Sequence, residues 1–275
     1  MAVIQDDLVL NDRYSRVLRD YINNLNRASR AARGGANSNR LYGNSAANAA
    51  RQTSGLVSTL RNLAGAFISI QGVKSLVSLS DEMASIRARL NMMNDGLQTT
   101  EELNQMIYES AQRSRGAYQE TANFVAQLGN LAGSAFSSTS EIVAFAEQIN
   151  KQITLSGASA SAASAAILQL TQGLSSGALR GEELNSVLEQ TPMIAQSIAD
   201  YLGVSTGEMR ELASEGALTA SVVKNAIFAA ADEINAKFEQ MPMTWAQVWT
   251  TMKNTAIQAL EPVLDAVNWA ANNID

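Results

Sequence analysis

Two pairs of adjacent carboxylates, Glu182 with Glu183 and Asp232 with Glu233, are the residues of this sequence that most invite a chemical reading. Paired acids can act as general acid and general base when their surroundings push their pKa values apart. The rest of the chain gives them little to work with. No histidine and no cysteine occurs in 275 residues. That removes the usual base at neutral pH, the thiolate nucleophile and the two commonest zinc ligands. Glu182 and Glu183 stand near the start of an expected helix, where negative charge complements the helix dipole. Asp232 and Glu233 fall in mid-helix, on a face expected to be solvated. The expectation is no catalytic residue, no cofactor-binding residue, no metal ligand and no cofactor.

Binding chemistry has two candidates. Residues 198–212 mimic a helix-turn-helix, with Gly203 at the turn and Ile198, Leu202, Val204, Met209 and Leu212 placed to be buried where two helices cross. A helix that enters a DNA groove needs cations, since phosphate neutralisation dominates affinity. The second helix here carries Glu208, Glu211 and Glu215 against Arg210 alone. A packing corner is the expectation. The other candidate is the N-terminal arm. Residues 1–61 hold nine arginines and four aspartates, for +5, and the remainder carries −11, giving the net −6. Arginine in such an arm suits nucleic acid, an acidic protein or anionic lipid, and a solvated helix face equally.

The elements that must position these residues read as helices throughout. Hydrophobic residues make up 46% of the chain, much of it alanine, aromatics 5%, and proline occurs only at Pro192, Pro242 and Pro262. Such composition predicts an all-α protein. Thr99 with Glu102, Ser138 with Glu141 and Ser205 with Glu208 have capping-box spacing. Gly133, Gly157, Gly177, Gly203 and Gly216 stand where helices should stop, and Asn94-Asp95-Gly96 reads as a turn. Helices are expected over 54–93 (broken near Ser80), 100–114, 118–132, 140–154, 158–176, 181–190, 192–202, 206–214, 220–239 and 244–272. The organisation expected is a basic arm and linker at 1–52, an all-helical domain at 53–243 and a long amphipathic helix at 244–275. No signal-peptide pattern opens the sequence. The most apolar window, 56–79, is interrupted by Arg61, Asn62, Gln71 and Lys74 and falls short of a clean span. A buried amphipathic helix is the expectation there.

The last helix carries a heptad. Trp245, Met252, Ala259 and Ala266 form one set and Trp249, Ala256, Val263 and Ala270 the other, which keeps one stripe toward a partner helix over almost four heptads. The candidate seam is Trp245, Trp249, Met252, Ala256, Ala259 and Val263, with Gln247, Lys253 and Asn254 off it. Two partners remain open: the chain's own domain, or an inter-chain coiled coil or longer rod. Pro262 beside the seam should kink the helix. Helical signal persists almost to Asp275, from which a longer parent chain is expected.

A family resemblance rests on residues 169–216. Leu179, Arg180, Gly181, Glu182, Glu183, Leu184 and Asn185 are followed by Leu202, Gly203, Val204 and Ser205, with Leu218-Thr219 beyond. This pattern resembles the tape measure domain of tailed-bacteriophage tail proteins, over roughly two thirds of the chain. The resemblance implies a non-enzymatic virion protein in the lumen of the tail tube, present in the host cytoplasm during assembly. It implies nucleation of tail assembly, a part in setting tail length, and release during genome ejection. The partners implied are tail-tube and tail-tip proteins, tail assembly chaperones and further copies of the chain as trimer or hexamer. A transient host-membrane contact also belongs to that picture, and sequence-specific nucleic acid does not. The alternatives are a membrane-active helical protein and a helix-turn-helix regulator.

Overall fold

Runs of alanine, leucine, glutamine and glutamate lose little rotamer freedom as helix, so a chain with few breakers stays helical between its caps. The computed structural model describes residues 70–272, and side chains from 77 onward except at 262, 263, 266, 267 and 270–272. The expected arm and linker, and the greater part of the apolar window, lie outside the described residues. Among the described residues the chain is all-α. In order come α1 (Ile70–Met93), α2 (Thr100–Arg113), α3 (Tyr118–Ala132), a 3-10 turn (Gly133–Ala135) and α4 (Thr139–Ser156). Then follow α5 (Ala160–Ser175), α6 (Gly181–Gln190), α7 (Pro192–Leu202) and α8 (Thr206–Ser214). The last three are α9 (Ala220–Ala229), α10 (Ala231–Gln240) and α11 (Trp245–Asn272).

The caps set most of these boundaries. Thr99 and Ser205 each accept the backbone N–H three residues on, while Glu102 and Glu208 accept from the cap backbone. Ser138 makes only half of its box. Its hydroxyl accepts from Glu141 N, but the Glu141 carboxylate accepts from Ser137 N and lies 3.1 Å from Lys224 Nζ on α9. The turn at residues 94–96 does more than reverse the chain. Asp95 accepts from Leu97 N at 3.0 Å and, across 44 residues, from Thr139 N at 2.9 Å, so it caps the start of α4 from outside.

Two boundaries differ from expectation. Helix α1 runs unbroken through Ser80, because the buried Ser80 hydroxyl donates to Leu264 O at 2.8 Å instead of capping a new helix. The helix expected over 220–239 is two helices, turned at Ala230, whose backbone sits at φ −78° and ψ −7° without glycine or proline. Helix α11 is continuous through Pro262.

The described residues fall into two compact units, one of 86–258 and one of 70–85 with 259–272. In the larger, α4 is the central helix and touches α2, α3, α7, α9 and α10. Phe145 on α4 stacks edge-on with Phe136 at 5.3 Å and Phe228 at 6.1 Å between ring centroids. The polar residues of α4 are buried as well: Glu141, Glu147, Gln148, Lys151 and Gln152 all lie inside. In the smaller unit the Ser80–Leu264 bond joins the two segments.

Candidate functional site

The recognisable residues of the sequence converge on a clasp around α6. Helix α5 stops at Ser175, and Gly177, at φ 89°, turns the chain back. Only a residue without Cβ holds that conformation cheaply. Residues 178 and 219 then pair as a single antiparallel bridge. Leu179 N donates to Leu218 O at 2.8 Å, and Ala220 N donates to Gly177 O at 2.9 Å. This bridge drives Leu179 into the core, fully buried, against α5. The approach is so close that a Cβ on Gly173 would lie 2.6 Å from Leu179 Cδ1 and 3.1 Å from its Cα. Glycine at 173 is therefore a packing requirement.

Arg180 follows with its side chain exposed, and its guanidinium lies against Gly216, within 3.5 Å of where a Cβ there would stand. It is the N-cap of α6 but makes no side-chain cap bond. Gly181, Glu182 and Glu183 form the first turn, so acids supply by charge what the cap does not supply by hydrogen bonding. Leu184 is fully buried. Asn185 Oδ1 accepts from Arg210 Nε at 3.3 Å, tying α6 to α8. The carboxylate pair thus stands in the first turn of a helix. Asp232 and Glu233 lie exposed in the first turn of α10, not at mid-helix, because the chain turns at Ala230.

Leu202, Gly203, Val204 and Ser205 form the α7–α8 corner. Gly203 takes φ 67° and closes α7, with Val204 N donating to Ala199 O at 3.1 Å. Ile198 and Met209 are buried, but Leu202, Val204 and Leu212 are half-buried, so the corner is shallower than the full burial expected. Backbone and hydroxyl of Ser205 both donate to the exposed Glu208 carboxylate and hold it below the ordinary range. Glu211 and Glu215 are exposed on the same helix.

Three polar anchors carried no signal in the sequence. Glu147, buried on α4, accepts from Arg113 Nε and Nη2 at 3.0 and 2.8 Å and from Lys151 Nζ at 2.8 Å. Burial alone would raise its pKa, but Arg113 and then Lys151 outweigh it and hold the carboxyl below 4.5. Arg115, at φ 57°, donates to the Met241 and Phe238 carbonyls at the end of α10 and lies 4.5 Å from the Phe238 ring centroid. Asn254 is 1% exposed on α11. Its Oδ1 accepts from Tyr118 N at 2.9 Å and its Nδ2 donates to Gly116 O at 2.8 Å. It caps α3, whose own N-cap, Ala117, has no side chain to do so.

Asn254 also decides which way α11 faces. The side carrying Asn254 and Ile257 is buried, and Gln112 on α2 donates to Thr251 O and Thr255 Oγ1 beside it. The candidate seam is on the opposite side: Trp245 is 86%, Trp249 69% and Met252 58% exposed, and Ala256 and Ala259 are exposed too. The Val263 side chain lies outside the described residues. The five seam residues with described side chains are all exposed, on the side of α11 away from Asn254.

Among the described residues no group of three or more acids could hold a metal, and no helix is long and apolar enough to cross a membrane. Compared with known proteins, residues 74–264 match a family model described as tape measure protein. No curated protein and no solved structure matches the chain.

Proposed function

The chain belongs to the tape measure protein family, and we propose that it works as a structural element of a phage tail, inside the tube whose length the family measures. The observation that carries this reading is the extent of the match, residues 74–264, which takes in the whole signature clasp and the helical body around it. A ruler needs length per residue, and an α-helix advances about 1.5 Å for each. As one rod, a chain of this size would reach roughly 410 Å. The described residues instead form eleven helices, so they act as a folded module and not as one extended ruler. The module's part is to dock on tail-tip and tube subunits as the tail nucleates, and to leave ahead of the genome at ejection. Assembly chaperones would keep it from premature association.

The exposed acids of α8 support a protein-facing role over a DNA-facing one, because negative charge there repels the duplex. The carboxylates at helix starts, in a chain with neither His nor Cys, support a non-enzymatic role. The test is genetic and visual. Micrographs of particles made without the parent gene should show tails that are missing or of uncontrolled length. Tails of normal, uniform length in its absence would overturn the reading.

A further inference from the structure

The first half of α11 lies on the body with its polar side inward. Trp245, Trp249 and Met252 face solvent, and over residues 245–258 only Asn254 and Ile257 are buried. Helix α4, by contrast, is buried along almost its whole length. Hydrogen bonds are most of what holds this stretch of α11. Gln105, Tyr108 and Gln112 follow one another along α2 and meet Gln258, Thr255 and Thr251 on α11, an antiparallel ladder with distances of 2.8 to 3.3 Å. Every rung is at least partly open to solvent. A hydrogen bond that water can replace contributes little net to holding two surfaces together. Segments with few buried apolar contacts and solvent-open hydrogen bonds are the ones that open while the rest of a protein stays folded.

The joint before the helix suits such an opening. Thr244 Oγ1 accepts from Gln247 N at 3.2 Å and Gln247 Oε1 accepts from Thr244 N at 3.0 Å, so α11 carries its own N-terminal cap. On the other side of the joint, Arg115 holds the end of α10 through the Met241 and Phe238 carbonyls. Pro242 and Met243 lie exposed between these two fixed ends. The chain can change direction there without undoing either helix terminus.

We propose that residues 245–258 are a strap that separates from α2 and α3, hinged at 242–243, while the rest of the body stays folded. Closed, the strap holds Trp245, Trp249 and Met252 at one place on the surface. Open, it frees that apolar end to move and bares the start of α3, which Asn254 otherwise caps. The inference holds or fails apart from the tail-assembly reading, which is decided by particle morphology.

The sequence has no cysteine, so single thiols report opening in the full chain. Ile257→Cys puts one beneath the strap and Ala144→Cys puts one inside α4, both at buried positions. With a thiol-specific disulfide reagent under native conditions, the thiol at 257 should react at least about a hundredfold faster than that at 144, each relative to its own unfolded rate. Adding Gln112→Ala, which removes bonds to Thr251 and Thr255, should speed the reaction at 257 several-fold. Adding Ile194→Val, a change in the core on α7, should speed the reaction at 144 several-fold and leave 257 unchanged. Hydrogen exchange of the unsubstituted chain makes the same comparison without any substitution. A helix off the body is only marginally stable, so the amides of 249–258 should exchange through an opening much less sensitive to denaturant than that of α4. Equal protection at 257 and 144, an Ile194→Val effect of the same size at both, or strap amides that exchange only together with those of α4 would each overturn the proposal, because the strap would then open only when the whole body unfolds.

Discussion

Asn254 illustrates how one side chain can decide the placement of a helix. It belongs to the type that caps helices locally, yet here it reaches 136 residues back in sequence to cap α3. Asn254→Ala would take the side-chain acceptor from the buried Tyr118 N and the donor from the half-buried Gly116 O, which costs about 1–3 kcal/mol. Thermal unfolding should show that loss. Asn254→Asp should recover part of it, since the acceptor for Tyr118 N survives while the donor to Gly116 O does not. Equal destabilisation by both substitutions would mean that the cap is not what holds the position. Nothing in the sequence marks Asn254: it sits in an amphipathic run, and its partners are glycine and backbone. The apolar heptad drew attention to the other side of the helix, where the structure shows solvent. The same holds for Glu147 and Lys151. Glutamate and lysine four residues apart read as an exposed pair, and only the packing of five helices around α4 puts them inside.

At the scale of elements, legibility followed how local the cause was. Caps at Thr99 and Ser205, the proline at the first turn of α7 and the left-handed glycines at 157 and 203 fix boundaries from neighbouring residues alone. The turn at Ala230 was not legible because its dihedrals are open to any residue, and the continuity of α1 at Ser80 was not because a distant carbonyl took the hydroxyl. The clasp around α6 contains both kinds. Its glycine at 177 is a visible stop, whereas the need for glycine at 173 appears only once Leu179 is packed against α5. Gly173→Ala should therefore destabilise by about 1–3 kcal/mol through overpacking. Arg180→Ala, at an exposed position in the same clasp, should stay within about 0.5 kcal/mol. Denaturant melts of the two variants compare them directly, and a larger loss at Arg180 would place the clasp's stability in the ion's contacts rather than in the packing. The half-burial of Leu202 likewise lowers what its removal should cost. Leu202→Ala is expected to lose about 1–2 kcal/mol, below the 2–5 of a fully buried leucine, and a loss above that range would show a corner more enclosed than the structure has it.

For the whole molecule, the fold class followed from composition and caps, and the family from one run of residues, because both are written in contiguous sequence. The interior followed from neither, and the interior sets how the body responds to acid. Glu147 is buried and charged, with its pKa held below the ordinary 4.5 of a glutamate by Arg113 and Lys151 against the opposing effect of burial. Asp95, hydrogen-bonded by Thr139 N and Leu97 N, is likewise held below 3.8 against the opposing effect of burial. A carboxylate with a depressed folded-state pKa contributes stability above its unfolded pKa and loses it as pH falls through the folded value. Both groups have the same sign, so melting temperature should be flat from neutral pH down to about 4.5 and fall below it. Protonating Glu147 removes the negative charge between Arg113, which still has Glu109 at 3.7 Å, and Lys151, which keeps its hydrogen bond to Asn235 but has only 10% of its side chain exposed, so the charge of Lys151 is less well balanced beside the core. Glu147→Gln should reproduce that state at neutral pH: a lower melting temperature at pH 7, with a smaller further decline on acidification than the unsubstituted chain shows. If the variant loses stability at pH 7 but its acid decline remains as steep, other carboxylates carry the acid response. If it melts as the unsubstituted chain does at pH 7, the charge network on α4 is neutral to stability, as buried ion pairs can be when a polar isostere replaces the charge.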